Sequence, residues 1–156
     1  MKFKPLIVIH ESLYSYEEVA PLFQSSTHKG RYHAFIKCNG VVLYITPSNK
    51  KAEAAYESSF NGEDVCDSVD PFAYHICLES PEGSNPHASS HIGYTESQYY
   101  SLAWLIARTK VNVDRIVGHK DIDTRKQSID PRNLDLSRVK LDVNKFKPTS
   151  YLELGI

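Results

Sequence analysis

The chain has 156 residues, a formal net charge of −1 at pH 7, 41% hydrophobic residues and 24% charged residues. This length and composition are typical of one globular domain with a well-buried core, and the near-neutral charge argues against a nucleic-acid-binding protein. The sequence contains no apolar run of membrane-spanning length, and the apolar stretch near its start is too short for a signal peptide. We therefore expect a cytoplasmically synthesised protein that does not bind membranes.

The first predicted strand is the aliphatic run at residues 6–9, which ends on His10 and Glu11. Burying two such polar groups at a strand end costs free energy unless they meet a partner, so His10 is a candidate functional residue. A short helix should follow, because Ser15 and Glu18 have the spacing of a capping box. Residues 32–46 then predict a β-hairpin that turns at Asn39-Gly40.

The next elements alternate between helical and extended patterns. Residues 50–59 are compatible with a helix, residues 73–79 predict a strand, and residues 80–93 form a long Pro/Gly/Ser-rich loop. A helix is predicted to begin after Thr95 and a short strand to end at His119, and the remainder is predicted to be loop with one helical turn near "LSRV". This order predicts a single α/β domain with a mixed central sheet flanked by helices, with its core at about residues 5–133 and a C-terminal extension at 134–156.

Two histidines follow β-branched runs, His10 in "LIVIH" and His119 in "RIVGH". If both strands end at the same rim of the sheet, the two imidazoles form part of a zinc site, which needs a third ligand and an open position. Asp130 is the natural third ligand because the proline after it restrains its loop. The alternative is that each histidine is an ordinary surface or core residue, and the pattern alone does not decide between them.

Glu79 is a candidate general base. It ends the predicted strand "AYHICLE", where period-two alternation places it on the same side as His75 and Cys77. A carboxylate there is suited to accept the proton of a zinc-activated water. The alternative is an exposed glutamate on an edge strand.

Six segments of the chain resemble the type 2 N-acetylmuramoyl-L-alanine amidases, in the order and approximate spacing of that family. They are "IVIHES", "YHAFIKCNG", "HICLES", "YTESQYYSLAWLI", "RIVGHKDI" and "DPR". The resemblance covers residues 5–133, and the family includes phage endolysins, cell-wall recycling amidases and peptidoglycan recognition proteins. It implies zinc as cofactor, peptidoglycan or a muropeptide as substrate, and hydrolysis of the amide between N-acetylmuramic acid and L-alanine.

The resemblance also assigns roles to residues. It implies that His10, His119 and Asp130 bind zinc, that Glu79 is the catalytic glutamate, and that Tyr32 matches the catalytic tyrosine of phage members. The chain departs from the family pattern in three places. Glu11 and Ser12 follow His10 where a second histidine and a hydroxyl residue are usual, Ser128 replaces a lysine two places before the third ligand, and "DPR" replaces "DPG". Arg125 or Lys126 is the candidate to replace the missing cation.

Two other kinds of protein remain compatible with the sequence. A peptidoglycan-recognition module that binds without cleaving is the main alternative, although such proteins typically replace the third ligand, which is kept here as Asp130. The second is a metal-free α/β binding domain. For the amidase we expect a monomer that acts as a phage endolysin, a recycling amidase or a secreted antibacterial effector, with release to the periplasm or cell wall requiring a holin or a secretion machine.

Overall fold

The computed structural model describes residues 2–23 and 31–155, and its centre is a five-stranded sheet. The strands are β1 (Leu6–Ser12), β2 (Ala34–Ile36), β3 (Val42–Tyr44), β4 (Ala73–Glu79) and β5 (Ile116–Gly118). Their order is β3-β2-β4-β1-β5. The β1, β2, β4 and β5 strands are parallel, while β3 is antiparallel to β2 and completes the predicted hairpin. The prediction of a mixed sheet is confirmed.

Helices cover the sheet. Those in the described part of the chain are α1 (Tyr16–Phe23), α2 (Glu96–Arg108), α3 (His119–Ile122) and α4 (Leu136–Lys145). The predicted capping box is formed, because Ser15 and Glu18 bond reciprocally before α1. Thr95 and Gln98 form a second capping box at the start of α2. Within the described residues, no helix has the length and apolar character needed to cross a membrane.

The two faces of the sheet have different roles. One face is aliphatic and packs into the main hydrophobic core together with α2 and α4; its members include Ile7, Ile9, Ile36, Ile76 and Leu78. On the other face, Leu6 and Val8 pack in a smaller core against loops and α3, and His10 follows them at the carboxyl end of β1. Ligand sites in parallel sheets lie at the carboxyl ends of strands, so the fold places His10 where a site is expected.

Three local predictions need correction. Residues 50–59 do not form a helix; backbone groups in this segment bond instead to the side chains of Asp70 and His119. The helical turn predicted near "LSRV" is the ten-residue α4, because its apolar side chains, including Val139 and Val143, pack into the core beside α2. His119 does not end a strand but is the first residue of α3.

Candidate metal centre and adjoining cavity

His10, His119 and Asp130 converge at one rim of the sheet. One potential ligand atom from each lies within 4.8 Å of the others. Asp130 lies between the two imidazoles, with Oδ2 3.5 Å from His10 Nδ1 and Oδ1 3.2 Å from His119 Nδ1. His10 and His119 are buried, whereas the Asp130 carboxylate is partly exposed, so the cluster is open on one side.

Each histidine of this cluster uses its second ring nitrogen to contact the protein interior. Nε2 of His10 is 2.9 Å from Nδ1 of His75, and Nε2 of His119 is 3.3 Å from the Ala55 carbonyl oxygen. Because a carbonyl only accepts, His119 carries a proton on Nε2, and in the neutral ring the Nδ1 lone pair is then available for a metal. Two imidazole nitrogens and one carboxylate form a donor set that suits zinc and leaves a further coordination position for water or substrate.

The charge of Asp130 is stabilised by its neighbours. Burial by itself would raise the pKa of Asp130, but its close contacts with the His10 and His119 rings hold that pKa well below its usual range. Burial lowers the pKa of His10 to about 4. Burial acts in the same direction on His119, but its bonds to Asp130 and Ala55 outweigh it and raise the pKa of His119. The Asp130 carboxylate is therefore ionised, as metal binding requires of it, whereas His119 has to be in its neutral form to bind a metal.

The turn between His119 and Asp130 is organised by Asp123. Its buried carboxylate accepts hydrogen bonds from the backbone N–H groups of Arg125 (2.9 Å), Gln127 (3.1 Å) and Ser128 (2.8 Å). This arrangement folds the eleven-residue interval back so that Asp130 returns to His119.

Gly118 allows the close packing that completes this return. A Cβ atom built at Gly118 would lie 2.8 Å from Cδ of Pro131, which is closer than side chains pack. The missing side chain thus lets the Asp130-Pro131 segment lie directly against the end of β5. This contact gives the glycine in "RIVGH" a structural reason.

A cavity of about 340 Å³ opens beside the side chains of His10, His119 and Asp130. It is lined by His10, Glu11, Leu13, Tyr32, Ala54, Tyr56, Pro86, His119, Ile129, Asp130 and Arg132. The ring of Tyr32 lies 5.0 Å from that of His10, measured between centroids. Burial raises the pKa of Tyr32 well above its usual value, so its hydroxyl stays protonated and is able to donate a hydrogen bond. Tyr56, which the sequence reasoning missed, stacks near His119 at 6.4 Å.

Glu79 lies at the end of β4 and is directed towards the hairpin. Its Oε1 accepts a hydrogen bond of 2.9 Å from the backbone N–H of Cys38. Its carbonyl oxygen accepts another from the Gln98 side chain at the start of α2. Glu79 is half-buried and shares the sheet face of Cys77, the register partner of His10, but it is not among the residues that line the cavity.

Neither of the two candidate cations lines the cavity. Arg125 is paired with Asp123, with Nε 3.0 Å from Oδ1, and its guanidinium lies 4.8 Å from the ring centroid of Tyr56. It therefore reaches the site only through the aromatic ring beside His119. Lys126 is exposed and occupies a left-handed turn conformation with a φ of 56°. Ser128, which stands where the family has lysine, places Oγ 3.4 Å from Nε2 of His119.

Comparison with known proteins agrees with this geometry. The sequence profile of the N-acetylmuramoyl-L-alanine amidase family (Amidase_2) matches residues 4–133. The chain belongs to this amidase family. It is 36% identical over 104 residues to the 1,6-anhydro-N-acetylmuramyl-L-alanine amidase AmpD of Haemophilus influenzae, an alignment that covers 64% of this chain and 50% of that protein. The chain thus aligns with about half the length of this curated relative.

Solved structures of the amidase family share the fold. The structure of AmpDh3 from Pseudomonas aeruginosa in complex with anhydromuramic pentapeptide has a TM-score of 0.72 at 16% identity, covering 89% of this chain and 59% of that one. The solution structure of Citrobacter freundii AmpD has a TM-score of 0.60 at 21% identity, covering 96% and 87%. The α/β fold of this chain is therefore that of the amidases.

Two departures from the amidase family pattern form a single structural feature. Glu11, at a position where the family usually has histidine, is paired with Arg132, which replaces the glycine of "DPG". Oε1 of Glu11 is 2.7 Å from Nε of Arg132 and accepts the backbone N–H of the same residue at 2.8 Å. The Arg132 guanidinium also donates to the carbonyl oxygens of Asn85 (2.7 Å) and Ala88 (2.8 Å). This ion pair fastens the long loop at the edge of the cavity.

Sequence reasoning missed these supporting residues for a common reason. Glu11 and Arg132 were each recognised as a departure, but their separation of 121 residues gave no signal of a pair. His75 was placed correctly on the side of Cys77, yet its contact with His10 depends on the register between β1 and β4. The signal for His75 was the alternation in "AYHICLE", and register was the missing information.

Proposed function

We propose that this protein is a zinc-dependent N-acetylmuramoyl-L-alanine amidase. It hydrolyses the amide between the lactyl group of N-acetylmuramic acid and L-alanine in peptidoglycan or in muropeptides. The substrate class follows from family membership and from the similarity to AmpD of Haemophilus influenzae, whose name states the anhydro-muramyl form of this bond.

One observation carries the proposal. His10 and His119 present Nδ1 to the same carboxylate, Asp130, while their other nitrogens are engaged by the protein interior, and the cluster borders a cavity. A purely structural cluster would not need to face open space. A recognition module that has lost a ligand would not keep all three residues.

Residues of this chain provide three things that hydrolysis needs: metal ligands, a general base and a hydrogen-bond donor. His10, His119 and Asp130 would hold the zinc ion, which when bound supplies Lewis-acid polarisation of the scissile carbonyl and lowers the pKa of water. Glu79 accepts the proton of the attacking water and transfers it to the leaving amine. To do so, its carboxylate must turn from the Cys38 N–H towards the cavity.

The developing oxyanion needs hydrogen-bond donors at the cavity wall. Tyr32 is suited to this task because its side chain lines the cavity beside His10 and its hydroxyl stays protonated. Arg125 contributes from a greater distance, through its position over the Tyr56 ring. Lys126 remains a weaker candidate, since its side chain is exposed and would have to fold back over the turn.

The biological setting depends on the size of the substrate. We expect the lytic, endolysin-type role, in which the monomeric enzyme cleaves intact sacculi, on the basis of the "YHAF" sequence around Tyr32. The similarity to AmpD supports the alternative, a preference for small anhydro-muropeptides. Comparing cleavage of purified sacculi with cleavage of soluble anhydro-muropeptides separates the two roles; hydrolysis of only the soluble compounds would contradict the lytic one.

The test of the function combines metal content with product release. Wild-type protein should contain about one zinc ion per chain and release free stem peptide. His119→Ala and Asp130→Ala should lose both zinc and activity. His87→Ala is the matched control, because His87 is exposed and does not line the cavity, and this variant should behave as the wild type.

Other outcomes would contradict the proposal in distinct ways. Zinc binding without release of stem peptide from any peptidoglycan substrate would indicate a recognition module. Absence of zinc from the wild type after purification with added metal would exclude the site itself.

A further inference from the structure

A line of three buried side chains leads from the candidate metal centre into the protein. Nε2 of His10 is 2.9 Å from Nδ1 of His75, and Nε2 of His75 is 2.8 Å from Oδ1 of Asp70. The exposed fractions of these residues are 2%, 0% and 7%, so the contacts are largely shielded from water. Of the three, only His10 borders the cavity, and the amidase reaction proposed above gives His75 and Asp70 no role.

The chemistry of Asp70 sets the direction of every hydrogen bond in this line. Although burial acts to raise its pKa, the hydrogen bond from His75 and those from two backbone N–H groups lower it, so Asp70 is an ionised acceptor. Nε2 of His75 must then carry a proton. In the neutral ring, Nδ1 of His75 has a lone pair and accepts from Nε2 of His10.

These hydrogen bonds determine whether Nδ1 of His10, the nitrogen that faces the metal centre, carries a proton. With its proton on Nε2, His10 keeps the lone pair of Nδ1 directed at the cluster, 3.5 Å from Oδ2 of Asp130. The opposite tautomer of His10 would place an N–H group there and block metal binding. Asp70 therefore selects the metal-binding tautomer of His10 through His75.

The same backbone segment also supports the second histidine ligand. Oδ1 of Asp70 accepts the N–H groups of Ala54 (3.3 Å) and Ala55 (3.0 Å). The carbonyl oxygen of Ala55 accepts the N–H of His119 Nε2 at 3.3 Å. The backbone at Ala55 therefore connects Asp70, which supports His10 through His75, with the carbonyl that supports His119. This connection fixes the separation between Nδ1 of His10 and Nδ1 of His119.

A neighbouring histidine shows what a purely structural role looks like. His33 is fully buried and stacks 5.9 Å from His75. Its Nδ1 accepts the backbone N–H of His75, and its Nε2 donates to the Lys50 carbonyl oxygen. Both of these bonds hold the backbone, and neither reaches a metal ligand.

We propose that His75 and Asp70 are positioning residues of the metal centre, which hold His10 in the tautomer and orientation that bind the metal. This inference rests on the proposed function for the identity of the metal. Partners of this kind typically contribute about 10–100-fold to metal affinity. His33 should contribute to stability alone.

The test uses two substitutions of His75 that each keep one half of its function. His75→Asn retains a side-chain oxygen near the position of Nδ1, where it accepts from His10, but loses the bond to Asp70. His75→Gln retains a donor near the position of Nε2, where it reaches Asp70, but loses the acceptor for His10. His33→Gln is the matched control at an equally buried histidine.

Three properties are measured for each variant: the zinc dissociation constant, by competition with a chromophoric chelator, the urea midpoint of the zinc-free protein, and the absorption spectrum of the cobalt-substituted protein. We expect the dissociation constant of His75→Gln to rise by about 10–100-fold, that of His75→Asn to rise less, and that of His33→Gln to stay unchanged. The spectrum of the cobalt-substituted protein should change in His75→Gln and not in His33→Gln. Stability is expected to fall in all three variants.

The result that would overturn the proposal is a His75→Gln protein that loses stability but binds zinc as the wild type does. If His75 variants fail to fold, Asp70→Asn serves instead, because it keeps the shape and the acceptor oxygen while removing the charge. Weakened zinc binding by Asp70→Asn supports the proposal, and unchanged binding overturns it. Failure of the wild type to bind zinc would be a failure of the proposed function, and it is seen before any variant is made.

Discussion

The buried and open sides of the metal-ligand cluster are built differently. On the buried side, His10 and His119 meet uncharged partners, the His75 ring and the Ala55 carbonyl. On the open side, the charged groups are paired with residues other than the ligands: Glu11 with Arg132, and Arg125 with Asp123. Glu79, also on this side, is bonded to the Cys38 backbone.

This difference separates two tasks of the site. The buried contacts set the geometry of the ligands before any substrate arrives, because each ligand nitrogen has one available hydrogen-bonding arrangement. The open-side contacts shape the cavity and hold its loops. Glu79 has to release its hydrogen bond from the Cys38 N–H before it can accept a proton from the attacking water. Substitutions on the two sides should therefore affect different quantities, metal affinity on one and turnover or stability on the other.

The largest expected effect concerns Glu79 on the open side. We expect Glu79→Gln to lower kcat by about 10²–10⁴-fold, because the amide cannot accept the proton of the attacking water. Zinc content should not change, since Glu79 contacts no ligand and the amide oxygen still accepts the Cys38 N–H. Stem-peptide release under saturating substrate, together with metal analysis, tests both statements.

His87→Ala provides the comparison for Glu79→Gln, because His87 is exposed and does not line the cavity, so this variant should leave turnover close to that of the wild type. If Glu79→Gln retained full activity, Glu79 would be a purely structural residue of the hairpin and another group would be the base. If it lost zinc instead, the separation between the two sides of the cluster would be wrong.

The ion pair on the open side predicts a large loss of stability. Glu11 and Arg132 have side-chain exposures of 4% and 2%. Glu11→Ala leaves the guanidinium buried and unpaired, which typically costs about 3–5 kcal/mol of unfolding free energy. Urea unfolding measures this cost, and proteolysis should become faster in the loop that contains Asn85 and Ala88.

The double variant Glu11→Ala/Arg132→Met is the control for this pair. If the cost arises from the unpaired charge, the double variant should be more stable than Glu11→Ala. If the double variant lost as much unfolding free energy as Glu11→Ala and Arg132→Met lose together, the two residues would act independently. In that case their common departure from the family pattern would be a coincidence.

The contrast between the two sides also explains what the sequence could and could not predict. His10, His119 and Asp130 were identified because strand ends and an X-Pro element are local patterns, and the structure brings these residues together. The supports behind them come from segments that have no local signature. Ala55 acts through its backbone, in a segment whose composition suggested a helix, and no pattern of side chains reveals a carbonyl that accepts from His119.

Other residues around the site were predicted only in part, because their contacts also depend on how separate strands and turns are placed in the fold. The alternation of β4 correctly put Glu79 and His75 on one face, but only the parallel register with β1 shows that His75 lies beneath His10. The sequence also suggested Arg125 as a cation for the site. The carboxylate of Asp123, which organises that turn through three backbone N–H groups, holds the guanidinium away from the ligands.

A smaller effect on the buried side comes from pH. Burial lowers the pKa of His33 from 6.5 to about 4, against the opposing effects of the Lys50 carbonyl and the Asp70 charge. Below pH 6.5 the unfolded chain binds a proton that the folded chain does not, so this stabilising contribution, complete above pH 6.5, is lost as the pH falls towards 4. The loss approaches about 1.4 kcal/mol per pH unit.

The difference between wild type and His33→Gln isolates this contribution. Urea unfolding at several values between pH 7.5 and 4.5 should show a steeper loss for the wild type than for the variant. Parallel curves would mean that His33 is protonated in the folded protein, and the buried side would then carry charge like the open side.

The smallest expected effect lies at the start of α2, which supports the open side at Glu79. The Thr95 hydroxyl accepts the Gln98 N–H at 3.1 Å and donates to the Cys38 carbonyl oxygen at 2.6 Å. Thr95→Ala should lower the unfolding free energy by about 1 kcal/mol, while Thr95→Ser, which keeps the hydroxyl, should restore most of it. Because Cys38 in turn binds Glu79, kcat should fall modestly in the alanine variant while the zinc dissociation constant does not change. A change in zinc affinity without a change in kcat would connect this helix to the buried side, and the division of the site into two separately supported halves would no longer hold.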